Sequence, residues 1–272
     1  TQVRRLSTAQ ISTIGTTGVV GLTSGQMANL SSSQMVGFGT DMVNLLSSTQ
    51  VAGLTAAVLS SLGTDSIAAV STSAIAGLTA DQLTAMSTAQ VDALDTSSFA
   101  TLTSTQLRAL ETADYAALSS TKIALLDSTQ LPTLETQDVA ALSSDQISAL
   151  SVAKLNALTT AQFRSIATGS LAGISTTDLP TISTTSLRAL SDAGIQALTT
   201  DQIGALSSSQ INSLTTSAIV ALTSTQVQGL TTDQIPTLST TVLVALGADT
   251  NALRTSQIAA LTTTQIYGLV MR

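Results

Sequence analysis

The 272-residue chain contains no cysteine, no histidine and no tryptophan, and it has only three prolines. Without cysteine there is no disulfide framework and no thiolate metal site. Without histidine the usual neutral-pH acid-base group and the commonest metal ligand are both missing. Aromatic residues make up 2% and charged residues 9% of the chain, far below the roughly 25% charge of an average globular protein. The net charge of -7 comes from sixteen acidic residues set singly among nine basic ones, so no basic face exists for a nucleic-acid backbone. No apolar run approaches the ~18 residues of a membrane-spanning helix. No secretory signal pattern stands before the first repeat, so any targeting segment is expected to have been removed or to lie outside this chain.

What remains is Leu, Ile, Val and Ala among Ser and Thr, with 43% hydrophobic residues. That aliphatic content excludes a disordered chain. It is also strictly periodic. From Leu6 to Leu246 a large apolar residue recurs every eight positions without insertion or deletion. Calling this position a, the octad reads a Leu, b Ser/Thr, c Ser/Thr, d variable, e Gln, f Ile/Val/Leu, g variable and h small. Phe38, Val70 and Met86 replace Leu at a, and Phe99, Tyr115 and Phe163 enlarge f. Position h departs from small residues at Asn29, Leu45 and Leu125. One residue is dropped after Leu246, which makes 247–253 a register break where a kink or bulge is expected.

Eight residues at about 100° each move an apolar stripe by roughly 80° per repeat, so one continuous helix cannot bury it. A continuous strand fails too, because a and f are five apart and would face opposite sides. The chain must turn once per octad. Positions b and e spell Ser/Thr-x-x-Gln, the capping box, and a and f fall where a hydrophobic staple would bracket it. Asp95 and Asp127 are good N-caps at b. Gly15, Gly39, Gly63 and Gly247 are acceptable ones.

Each octad should therefore start a new short helix. Pro132, Pro180 and Pro236 all stand at g, where they shorten it to barely one turn. The resulting expectation is an all-α solenoid of very short capped helices, one per eight-residue repeat, spanning 1–272 as a single domain. A β-solenoid is the alternative fold. Two or three octads would make a coil, and the sequence does not choose between them. Positions b, c, d, e and g are expected to face solvent.

Octads such as Leu198-Thr-Thr-Asp-Gln-Ile-Gly-Ala-Leu206 and Leu222-Thr-Ser-Thr-Gln-Val-Gln-Gly-Leu230 resemble the tandem Leu-Thr-x-x-Gln-Ile-x-Ala arrays of bacterial secreted and surface proteins, some labelled adhesin-like or haem-utilisation proteins. The resemblance implies an extracellular structural role and says little about chemistry.

Candidate sites dissolve into the repeat. Ser119 to Lys122 and Ser151 to Lys154 match Ser-x-x-Lys, but both occupy b and e, and no Ser-Asp-Asn or Lys-Thr-Gly partner accompanies them. Haem ligands would have to come from Met27, Met35, Met42, Met86, Met271, Tyr115 or Tyr267, which are mostly core positions. Asp249 with Asn251, at the register break, is the one hint of a calcium site. No catalytic, cofactor or metal residues are therefore assigned, and no enzyme activity is expected.

Both termini carry the apolar pattern without a polar capping repeat, which predicts end-to-end self-association. The leading expectation is a homopolymeric structural subunit or extender of an extracellular filament, stalk or adhesin, in contact with other surface proteins. The alternative is a peptide- or protein-binding solenoid. Arg108, Arg164 and Arg188 share position g, but their spacing looks too wide for a continuous patch.

Overall fold

A computed structural model describes residues 2–246 and 253–270. Residues 247–252, with the Asp249–Asn251 pair and most of the expected register break, lie outside the described residues, as do Gly247 and Met271. Among the described residues every regular element is helical and no strand forms, so the β alternative does not apply. The contacts divide the chain into two compact units, Thr1–Ala141 and Leu142–Arg272.

Nearly every octad opens a helix of four to six residues, and the capping box accounts for where each begins. In the octad from Leu46, Ser47 has an extended backbone (φ -80°, ψ 163°), and its hydroxyl accepts the Gln50 amide hydrogen. The Gln50 side-chain oxygen in turn accepts the Ser47 N–H at 2.8 Å. The same reciprocal pair recurs at Thr79 with Gln82, Thr103 with Gln106, Thr199 with Gln202 and Thr223 with Gln226. Asp95 caps with its carboxylate, accepting the amides of Ser97 and Ser98. Asp127 does likewise for Thr129 and Gln130. Each proline octad tightens to a single 3-10 turn, at Leu131–Thr133, Leu179–Thr181 and Ile235–Thr237.

In one respect the capping expectation fails. Gly63 takes the extended N-cap backbone, but Gly15 and Gly39 adopt the left-handed region, with φ of 68° and 64°. Neither stands at the N-cap, because the chain enters these two helices through helical Ile14 and Phe38.

Three octads make a coil. In the first unit the helices Ser24–Met27, Ser48–Gly53 and Thr72–Ile75 pack in succession, each starting 24 residues after the last. In the second, Thr200–Ala205 packs on Ser224–Gly229, and Thr184–Ala189 on Ser208–Ser213. Helices this short have no stability of their own; burial of a and f supplies it. Leu198, Leu206 and Leu214 at a are all buried, as are Ile195, Ile203 and Ile211 at f. The small h residue lets coils approach closely: a Cβ on Gly77 would stand 1.9 Å from the backbone oxygen of Ser48.

Candidate functional site

Position e is buried, contrary to the expectation that it faces solvent. Gln34, Gln50, Gln82, Gln106, Gln202, Gln210 and Gln226 are all enclosed. A carboxamide offers two N–H donors besides its oxygen, and the capping box uses only the oxygen. The amide nitrogen goes to the coil before. Gln50 Nε2 donates to the carbonyls of Val19 at 2.7 Å and Leu22 at 2.9 Å. Gln82 does the same to Val51 and Leu54, and Gln210 to Leu179 and Ile182. In these three cases the acceptors are the f and a carbonyls 31 and 28 residues earlier. One side chain thus closes its own helix start and ties two coils together.

The ladder stays in step past the dropped residue. Gln257 reaches Val227 and Leu230, and Gln265 reaches Ile235 and Leu238, now at separations of 30 and 27. These are the same f and a positions.

Where e is not Gln, other chemistry stands in. Ser170 donates its hydroxyl to the Leu142 carbonyl at 2.6 Å. Lys122 donates its buried ammonium to the Asp92 carbonyl and pairs with the Asp92 carboxylate at 3.0 Å. The Lys122 amine thus points away from a Ser119 hydroxyl that is engaged in accepting the Lys122 amide hydrogen, and the Ser-x-x-Lys spacing carries no nucleophile and base here. In octads 110–117 and 134–141, Glu occupies b and Asp occupies e. The Asp114 and Asp138 carboxylates accept the Glu111 and Glu135 amide hydrogens at 2.8 and 3.0 Å, and Thr112 donates across the coils to Asp138 at 2.8 Å. Burial pushes the Asp114 carboxyl above its ordinary range, with the nearby Glu111 charge adding to it against the Glu111 amide bond. Burial acts the same way on the Tyr115 phenol, helped by Asp138 and Asp114.

Of the remaining candidates, Met27, Met35, Met42, Met86 and Tyr115 are core residues, whereas Tyr267 is exposed. Arg164 and Arg188 correct the reading of their spacing. They lie one coil apart and line one open recess of about 600 Å³ with Thr160, Ser191 and Asp192. Arg108 lies elsewhere, donating to the Thr133 carbonyl. Among the described residues no group of three or more acidic side chains is placed to hold a metal ion, and no helix is long and apolar enough to cross a membrane.

The ALTTAQ repeat family model matches residues 1–32, 132–168, 171–208 and 207–240, together just over half of the chain. The chain belongs to the ALTTAQ repeat family. No curated protein matches it. The family's Ala-Leu-Thr-Thr-Ala-Gln name runs from h through a to e, so it ends on the glutamine that builds the inter-coil ladder.

Proposed function

We propose that this ALTTAQ repeat protein is a structural subunit or extender of an extracellular bacterial filament, stalk or adhesin that self-associates through its coil faces. The observation that carries this reading is a group of exposed apolar side chains within 258–270. Position f is fully enclosed at Val227 and Ile235, yet Ile258 is 51% and Ile266 48% exposed, beside exposed Tyr267 and Val270. Exposed aliphatic surface of this kind marks an association site, and a head-to-tail contact that does not close yields a fibre. Electron microscopy of the purified chain tests the reading: fibres that lengthen with concentration support it, and discrete monodisperse particles at every concentration overturn it.

A second reading, a scaffold that binds an acidic peptide, is favoured only by the recess that Arg164 and Arg188 line together. Paired guanidinium groups suit carboxylates, but Asp192 in the same recess opposes an anionic ligand, and this reading stands second.

A further inference from the structure

We infer that the recess lined by Arg164 and Arg188 binds a carboxylated sugar of an acidic glycan. The inference goes beyond the filament reading and holds whether or not the chain assembles.

The two arginines stand apart from other polar residues at g. Arg108, Asn156 and Asn212 each donate across to the h carbonyl 25 residues ahead, at Thr133, Thr181 and Thr237, over 3.1, 3.0 and 2.9 Å. The matching carbonyls for Arg164 and Arg188 belong to Ala189 and Ser213, and neither guanidinium bonds to them. Among the described residues both guanidinium groups are without a hydrogen-bond or ion-pair partner, although Asp192 lines the same recess. Two exposed cations one coil apart repel each other. A carboxylate shared between them removes that repulsion and suits the planar guanidinium fork.

The rest of the lining narrows the choice of anion. Asp192 accepts the Ser217 hydroxyl through one carboxylate oxygen and leaves the other free to accept. The Ser191 hydroxyl accepts the Gly194 amide hydrogen and keeps its own proton to give. Thr160 adds a second hydroxyl. With two positive charges and one negative, the recess is neutralised by one carboxylate. A phosphate or a dicarboxylate carries more charge than that and turns part of it toward Asp192. An acidic peptide brings carboxylates but few hydroxyls. A uronic acid carries a single carboxylate for the arginines and ring hydroxyls that donate to Asp192 and exchange bonds with Thr160 and Ser191. The recess is open, so further sugars of a chain can run on past it. No aromatic side chain lines it, and binding through charge and hydrogen bonds alone weakens as salt rises.

Isothermal titration calorimetry of the full chain with trigalacturonate tests the inference. Its methyl ester and an end-capped tri-aspartate peptide of the same charge as the sugar serve as comparison probes. Trigalacturonate should bind, and the ester, which keeps hydroxyls but loses charge, should bind about tenfold or more weakly. R164Q/R188Q should weaken trigalacturonate by a similar factor with an unchanged thermal midpoint, since neither guanidinium is bonded within the fold. D192N gives the decisive sign. It should weaken the sugar several-fold, because a carboxylate accepts hydroxyl donors more strongly than an amide does, and it should tighten the peptide by removing a repelling charge. Asn can still accept the Ser217 hydroxyl, so the fold is kept. No binding of trigalacturonate at millimolar concentration, peptide bound as tightly as sugar by the wild type, or D192N tightening both ligands would each overturn the inference. None of these results touches fibre formation, so the filament reading stands or falls separately.

Discussion

Octads with Gln at e and those around residues 110–141 reach the same fold by different means, and the difference shows what the fold demands. At Gln82 one carboxamide serves three backbone groups: the Thr79 amide and the carbonyls of Val51 and Leu54. At Asp138 the carboxylate still serves the Glu135 amide, but an ionised carboxylate has no hydrogen to give. The Leu107 carbonyl, 31 residues before Asp138, is instead met by the hydroxyl of Tyr115 at 2.8 Å. A buried carbonyl left dry is costly whichever side chain sits at e. The requirement belongs to the backbone, and Gln is its usual answer.

Removing the usual answer should have the largest effect. Gln82→Leu keeps the volume but strands the Thr79 amide and the Leu54 carbonyl in a buried setting. At about 1–3 kcal/mol per orphaned group, the loss should be roughly 3 kcal/mol, read as a shift in the denaturant midpoint. A loss no larger than that of a surface substitution would break the comparison, because water would then be serving these groups equally well. Tyr115→Phe probes the substitute arrangement. Leu107 keeps its backbone bond from the Leu110 amide, so one hydrogen bond is at stake and about 1 kcal/mol should be lost.

Asp114→Asn sharpens the comparison through pH. Burial raises the folded carboxyl above its ordinary value, so the folded state binds the proton more tightly than the unfolded one. The carboxyl's favourable contribution is then fully present below the unfolded value and is lost as pH rises through the folded value. Asn, uncharged and able to donate, should therefore be the more stable residue at neutral pH, by on the order of 1 kcal/mol. That advantage should shrink as pH falls below the carboxyl range. Asp95 has the opposite sign: burial pushes its carboxyl up, but hydrogen bonds from Ser98 and Ser97 outweigh it and hold it low. Its contribution is present above the ordinary carboxyl range and is lost on acidification. Paired melts of Asp114→Asn and wild type across that range would settle the sign, and an advantage that grows in acid would refute it.

How far the sequence reaches follows from the distance over which each feature acts. The period, the caps and the proline turns are set within one octad, so Ser47 with Gln50, or Pro132 alone, shows them. The ladder joins residues about thirty apart and becomes visible only once the coil length is known. Even so, a signal was present: a capping box consumes one oxygen of Gln and leaves its two N–H donors unassigned, and a repeated unassigned donor points inward. Arg164 and Arg188 were misjudged for the same reason. Twenty-four residues is far along a chain and adjacent in a three-octad coil.

The finest comparison is within one column of glycines. Gly15, Gly39 and Gly63 occupy b at successive 24-residue steps, but only Gly63 has the cap conformation. A side chain has room at both Gly39 and Gly63, so backbone conformation alone separates them. At Gly39 the left-handed φ makes Gly39→Ser unfavourable by about 1 kcal/mol. Gly63→Ser places a hydroxyl within reach of the Ser66 amide and should gain a few tenths of a kcal/mol. Opposite shifts in thermal midpoint are the expected readout. Equal shifts would mean that the first unit's glycine column can settle on one conformation throughout, and that the left-handed entries at Gly15 and Gly39 follow from the absence of a hydroxyl and not from the packing around them.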